Sequence, residues 1–340
     1  MITKQTLDAR GVDVTVGIPT RNRSDLLGNA IASVLGQSYG RFRVVVSDNA
    51  SEDDTAGVVA SFEDPRVIYR PLGTGVGRAE NFNRLIDLAD TEFLLILGDD
   101  DQLLPDHLSL TVEALKQRPT AGVAHTGYEI VDMGGNTLVR TAGKESAGPW
   151  VAFELGAQFL ERSMKAGPSV CLSSALFRKA ALISGGKLRP EDGVIDDFPL
   201  LLRIATEWDF AYVDRSLAVL RAHAEAASSS LGWFTPDGFR SSRSLPDVLY
   251  GHRRKFLAEA GLPMPQARRL ARMAERSYRR EVVGHLSMRA DTGDGQVAVL
   301  RALGNEIRCD PRLGLDPLAW RFVVGQLGGR QLRDVLRRAS

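Results

Sequence analysis

The chain has 340 residues, 44% of them apolar and 25% charged, with a net charge of +1. That is the profile of a globular protein, one large domain or a domain with an appendage, and it excludes a polyelectrolyte with a global nucleic-acid signature. Two distant cysteines, Cys171 and Cys309, match neither a disulfide framework nor a zinc pattern, the first ten residues lack a signal-peptide apolar core, and no apolar run approaches the ~20 residues that cross a bilayer, so a cytoplasmic protein, soluble or peripheral on the membrane, is expected.

In chain order, Val12 to Pro19 is β-branched and apolar and reads as a strand. It runs into the polar loop Thr20-Arg-Asn-Arg-Ser-Asp25, where Ser24 is a candidate cap for a helix carrying Leu26, Leu27, Ala30, Ile31, Val34 and Leu35. Phe42 to Ser47 is a second strand, ending at Asp48-Asn-Ala-Ser-Glu-Asp-Asp54, and a helix through Val59 and Phe62 follows. Val67 to Arg70 is a short strand, Gly73-Thr-Gly-Val-Gly-Arg78 a loop, and residues 79 to 89 a helix. Phe93 to Leu97 is a fourth strand, and it feeds Gly98 and three consecutive carboxylates, Asp99, Asp100 and Asp101. Strands alternating with helices predict a doubly wound, mostly parallel sheet, whose strand ends converge on one ligand-binding edge.

Further on, Pro105 and Asp106 open a helix that ends near Arg118-Pro119. Residues 122 to 125 and 127 to 131 read as two strands, with Gly134-Gly-Asn136 as a hairpin turn. Trp150 to Met164 has amphipathic helical spacing, Ser169 to Phe177 is strand-like, and Arg178 to Ile183 is a helix stopped by Gly185-Gly186. Asp196 and Asp197 stand at the mouth of a helix through Ala205, and residues 210 to 213 and 217 to 222 read as closing strands. Residues 224 to 247 are loop-like, with Trp233 and Phe234 inside a Ser- and Gly-rich stretch. From about Leu249 the chain is helical and rich in arginine. From Gly251 to Ser340 eighteen Lys/Arg face nine Asp/Glu, a net +9, whereas the residues before carry −8. An anionic membrane surface, an acidic partner or self-association would each use such helices, and a solvated basic face is the plain alternative.

The chemistry lies in the acids and the glycines. Three adjacent carboxylates repel one another unless a cation sits among them, and Asp is a hard ligand suited to Mg²⁺ or Mn²⁺ that also carries substrate phosphates. The glycine stretch is not a dinucleotide fingerprint, because G-x-G-x-x-G would need glycine at position 78 and Arg78 stands there. It still suits an anion at the start of the next helix.

Taken together, Val14-Thr-Val-Gly-Ile-Pro-Thr-Arg-Asn-Arg23, Val44-Val-Val-Ser-Asp-Asn-Ala-Ser51 with Asp54-Thr55, Gly75-Val with Asn81, and Leu97-Gly-Asp-Asp-Asp with Leu104-Pro105 resemble the family 2 glycosyltransferases of the GT-A fold. The resemblance covers about residues 12 to 225. It implies an α/β fold with a Rossmann-like nucleotide-binding half (about 1 to 105) and an acceptor half (about 106 to 225). A loop or linker (226 to 248) and a basic helical region (249 to 340) would follow. It implies inverting transfer of a sugar from a nucleoside-diphosphate sugar to a hydroxyl or amine of a glycan, lipid-linked sugar or small molecule. Polysaccharide, glycoconjugate or natural-product biosynthesis would be the setting, with Mg²⁺ or Mn²⁺ as cofactor and no role for nucleic acid.

Carried over residue by residue, Pro19, Thr20, Arg21, Asn22, Asp48, Asn49, Arg78, Asn81 and Asp99 would hold the nucleotide sugar. Asp100 would be the principal metal ligand, with Asp101 and His223 beside it. The pattern departs from the family's Asp-x-Asp-Asp, since Gly98 stands at the first Asp position. Asp197 would be the catalytic base that removes the acceptor's proton, with Asp196 its understudy and a like charge that raises its pKa. Ser173, Ser174 and Trp233 would face the acceptor. Two other readings are a nucleotidyltransferase, whose Gly-rich loop after the first strand is missing at Thr20-Arg-Asn-Arg23, and a non-catalytic sugar-nucleotide-binding scaffold.

Overall fold

The computed structural model describes residues 11–141, 151–222 and 245–291. The chain divides into two units, residues 1–163 with 168–226, and 164–167 with 227–340.

The first unit is built on one sheet. Its opening third alternates strand and helix: β1 (Val14–Thr20), α1 (Ser24–Leu35), β2 (Phe42–Asp48), α2 (Thr55–Ala60), β3 (Val67–Pro71), α3 (Arg78–Leu88) and β4 (Phe93–Ile96). β1 and β2 are buried at every position, as near-continuous apolar strands covered on both faces must be. β3, β2, β1 and β4 lie side by side and parallel. At mid-strand Gly17 lets α3 approach closely: a Cβ there would stand 3.0 Å from the methyls of Leu85.

The rest of the unit comprises β5 (Gln102–Leu103), α4 (His107–Gln117), β6 (Ala121–Val131), β7 (Thr137–Arg140), β8 (Val151–Glu154), α5 (Gly156–Ala166), β9 (Ala175–Arg178), α6 (Lys179–Ser184), α7 (Asp197–Ile204) and β10 (Asp209–Arg221). β9 runs antiparallel between β4 and β6, and β10 lies parallel to β6. The antiparallel insertion joins the two halves of the sheet and sets the turn before β9 against the end of β4.

Four local expectations are corrected. Residues 121–131 form one strand, and residues 209–221 form another with register shifts between Val213 and Ala218. The helix expected from Trp150 begins at Gly156, because Val151–Glu154 pairs with β10 along Phe210–Val213; a cross-strand ladder overrode the helical spacing. Gln102–Leu103 pairs with Ala218–Val219 as a strand that no periodicity announced. Ser24 does not cap α1; it is the first helical residue, and its N–H donates to Asp53 Oδ2 at 2.9 Å, so the carboxylate of a neighbouring loop meets the positive end of the helix.

The second unit contains α8 (Leu245–Glu259) and α9 (Met264–Asp291). They pack through Leu249, Phe256, Leu270, Ala274 and Val282, all buried, and through the stacked rings of Tyr250 and Tyr278, 4.4 Å apart. Arg253 is fully buried and donates from both terminal nitrogens to Glu281 Oε1, at 3.1 and 3.0 Å, which offsets the cost of taking its charge out of water. No helix among the described residues is long and apolar enough to cross a membrane.

Candidate active site

The carboxyl ends of β1, β2 and β4 open on one edge of the sheet, because the strands are parallel and in register from Val14, Phe42 and Phe93 onward. Crevices of open α/β sheets lie beyond such ends. The loop after β1 is tied to the loop after β2. Asn22, at φ 53°, accepts the Glu52 N–H at 2.8 Å, and its own N–H donates to Ser51 Oγ at 2.9 Å. Asn tolerates this left-handed conformation better than most residues. Pro19 and Thr20 are buried at the end of β1. The Arg21 guanidinium lies on the glycine loop: a Cβ on Gly75 would meet its Nη1 at 3.2 Å.

Asp48 is buried and well bonded. One oxygen accepts from Ser51 N and Ser51 Oγ, at 3.0 and 2.6 Å, and the other from the Tyr69 hydroxyl. Burial, then this bond to Asp48, pushes the Tyr69 phenol far up. Asn49 braces the glycine loop with a two-way bond to the Val76 backbone, at 2.9 and 2.7 Å. Asn81, buried on α3, is engaged by Ser47 at both ends of its amide, at 2.7 and 3.1 Å. Asn49 and Asn81 therefore fix the backbone around the crevice.

The three aspartates after β4 differ from one another. Asp99 lies toward the β1 loop. Burial and then the Asp100 charge push its carboxyl up to about 6, against the opposing pull of Thr20, Arg23 and Arg21. Asp100 has Arg23 Nη1 at 3.6 Å. Asp101 is held at both oxygens, by Ser173 Oγ at 2.5 Å and by the Arg221 N–H at 3.1 Å. Its carboxyl is displaced upward by burial first and by Asp100 second. Ser173 in turn accepts the Gly98 N–H at 3.1 Å. One hydroxyl thus joins the end of β4, the triplet and the turn before β9. Gly98 leaves the room: a Cβ there would stand 2.7 Å from Asp101 Oδ2 and 2.9 Å from Asp100 Oδ1, closer than a carbon with no hydrogen bond to share can approach.

Asp197 begins α7 and its Oδ1 accepts the following Phe198 N–H at 2.9 Å. Its carboxyl is pushed up to about 6, chiefly by burial and then by the charge of Asp196, with Arg78 opposing. Asp196 is buried, and it too is displaced upward by burial, which outweighs its ion pair with Arg78. Its second oxygen has no hydrogen-bond partner among the described residues. Arg78 stacks over Phe82, 4.4 Å from the ring centre, so the cation at the start of α3 reaches the acid pair of α7. Ser174 is fully buried, and its hydroxyl donates to the Cys171 carbonyl at 2.9 Å. That bond engages the proton a sugar hydroxyl would need. His223 and Trp233 lie outside the described residues.

Two residues that sequence reasoning passed over join these groups. The Cys171 thiol is pushed up by burial, then by the charges of Asp101, Asp197 and Asp100. Tyr128 is raised to about 12 by burial, with Cys171 and Asp197 next. Asp100 and Asp101 after β4 and Asp197 of α7 therefore act on one small region although 96 positions separate Asp101 from Asp197. No local pattern marks Cys171 or Tyr128.

The model of glycosyl transferase family 2 matches residues 15–183. Those residues belong to glycosyl transferase family 2. Among relatives of this family 2 domain is the GalNAc(5)-diNAcBac-PP-undecaprenol beta-1,3-glucosyltransferase of Campylobacter jejuni. It is 36% identical over 135 residues, which are 38% of this chain and 42% of that one. The succinoglycan biosynthesis protein ExoO of Rhizobium meliloti is 32% identical over 37% of this chain and 36% of its own. The chain thus spans less than half the length of either. Among solved structures, S. aureus TarS 1-349 superposes with a TM-score of 0.59 at 13% identity, covering 94% of this chain and 93% of that one. The mannosyltransferase PcManGT of Pyrobaculum calidifontis, in complex with GDP-Man and Mn²⁺, gives 0.56 at 19% identity over 92% and 85%. At such identities the likeness is one of fold, the GT-A type.

The family 2 domain is also suited to a divalent ion. Among the described residues no group of three His, Cys, Asp or Glu side chains is placed to hold a metal ion. An ion that arrives on a diphosphate needs only one or two carboxylates, because phosphates and water complete its shell. The cradle above Gly98, into which oxygens of Asp100 and Asp101 both fold, supplies such a donor set.

Proposed function

We propose that this chain is an inverting, metal-dependent glycosyltransferase that moves a sugar from a nucleoside-diphosphate sugar to an acceptor hydroxyl or amine in polysaccharide or glycoconjugate assembly. The observation that carries this reading is that the segment from Cys171 to Ser173 meets both acidic groups: Ser173 donates to Asp101 at 2.5 Å, and the charges of Asp100, Asp101 and Asp197 all act on the Cys171 thiol. A donor-side acidic cradle and a raised carboxylate at the acceptor side are the two parts that the displacement requires.

In this reading Asp197 is the general base. A carboxyl near 6 is ionised at neutral pH yet basic enough to take the acceptor's proton as its oxygen attacks the anomeric carbon. Arg78 faces the departing diphosphate while its pair with Asp196 fixes the start of α7. Asp48 and the loop after β1 hold the nucleoside, and Asp99 lies toward the ribose. Asp100, whose Oδ1 turns with Asp101 Oδ2 into the space above Gly98, would be the main carboxylate for Mg²⁺ or Mn²⁺, with Asp101 beside it. Such an ion would neutralise charge on the leaving diphosphate. A nucleotide-sugar donor and a free Cys171 both fit a reducing cytoplasm.

The test is a thermal-shift screen of nucleoside-diphosphate sugars with and without Mn²⁺. At a hundredfold excess over Kd the right donor should add about 2.7 kcal/mol of stability, and omission of the metal should remove most of it. If none of the sugars stabilises the protein in either condition, the donor assignment fails.

A further inference from the structure

The second unit carries a surface that sugar transfer does not use. In α9 the residues at 268, 272, 276 and 280 are all arginine, and all four are exposed. Their spacing of four puts them on one face, and twelve helical steps spread them over about 18 Å. The opposite face, Leu270, Ala274 and Ser277, is buried. Arg269 adds a further exposed cation at the edge. No ion pair within the described residues engages Arg268, Arg272, Arg276 or Arg280, and the acids nearest in sequence, Glu275 and Glu281, are half-buried.

Like charges at a spacing of four disfavour a helix. A row of them is stable at lower cost if an anionic surface covers it. Arginine suits phosphate, because its planar fork donates two parallel hydrogen bonds. One more residue selects among the anionic surfaces. Met264, four positions before Arg268 and at the leading edge of the arginine stripe, is 62% exposed. A bulky apolar side chain beside a row of arginines is the pattern of a helix lying at the boundary between headgroups and acyl chains. A nucleic-acid backbone or an acidic protein would have no use for it.

We propose that this face of α9 docks on a bilayer of anionic phospholipid, with Arg268, Arg272, Arg276 and Arg280 on headgroup phosphates and Met264 entering the acyl boundary. The inference is independent of the transferase reading, since it concerns no residue of the family 2 site.

The experiment is co-sedimentation of the full chain with vesicles in about 0.1 M NaCl, comparing pure phosphatidylcholine with a mixture holding about one third phosphatidylglycerol. The chain should sediment with the mixed vesicles only, and raised salt should release it. At roughly a fivefold gain in partition per arginine near such a surface, the quadruple variant R268Q/R272Q/R276Q/R280Q should lose about 10²–10³-fold. The quadruple Arg→Lys variant should keep most of the binding. Met264→Asp should weaken sedimentation, and Met264→Gln, which adds no charge at the positive end of α9, should also weaken it with no change in thermal unfolding. Equal sedimentation with neutral vesicles, an unaltered Gln variant, or an unaltered Met264→Asp variant would each overturn the proposal. So would tighter binding to a short DNA duplex than to the vesicles.

Discussion

Replacing Asp197 with Asn should remove activity and stabilise the protein in one step. Folding carries this carboxyl from 3.8 to about 6. Its folded pKa lies above its unfolded value, so the native state holds the proton more tightly. The ionised form is therefore destabilising. The penalty is absent below about pH 4, grows between about 4 and 6, and is complete above that, where it reaches about 3 kcal/mol. Asn has the shape of Asp without the charge, and its carbonyl still accepts the Phe198 N–H. Asp197→Asn should then raise the melting temperature at pH 8, in the absence of metal and donor, by about 5–10 °C. At pH 4 it should change it little. Transfer should fall by about 10²–10⁴-fold, the usual contribution of a general base. The assay is calorimetric unfolding of both proteins across this pH range beside a rate measurement with saturating donor. A stability gain of the same size at pH 4 and pH 8 would show that charge is not its source. Undiminished transfer would remove Asp197 from the base role.

Four further outcomes are expected. The rate of transfer should fall tenfold per pH unit below about 6 as Asp197 takes up its proton. Asp196→Asn, by removing the second-largest cause of that raised value, should move this limb to lower pH, and a pH–rate profile of the variant reads the displacement. Gly98→Ala places a Cβ 2.7 and 2.9 Å from the carboxylate oxygens of Asp101 and Asp100; it should raise the Kd for Mn²⁺ by about 10–100-fold, measured by titration calorimetry with nucleoside diphosphate present. Ser173→Ala removes the donor to Asp101 and leaves the Gly98 N–H without its acceptor. It should cost about 1–3 kcal/mol in metal-free denaturant unfolding, and a midpoint equal to that of the parent would deny Ser173 its place in the junction.

Much of this was legible in the chain itself. Helical spacing from Leu26 to Leu35, the β-branched runs at Val14 and Val44, and Gly-rich or acidic loops after each strand report only on neighbours a few positions away. Such local preferences determined the elements of the nucleotide-binding half and the order of its loops. The acids at 99–101 stood out because three adjacent carboxylates are costly without a cation, and those at 196–197 through their resemblance to the acid pair of the family 2 glycosyltransferases.

Tertiary structure decided what those acids are. Asp99, Asp100 and Asp101 are identical in the sequence, yet Asp101 alone receives Ser173 and the Arg221 N–H, since β9 and β10 deliver those donors from 72 and 120 positions away. The same long-range pairing turned Val151–Glu154 into a strand and two short strands into the single β10. It also placed Cys171 within reach of both acidic groups. Sequence periodicity records which face of an element is buried. Which distant group arrives to bury it, and with what charge, depends on strand order, and that is why a row of three equal carboxylates became three groups in different surroundings.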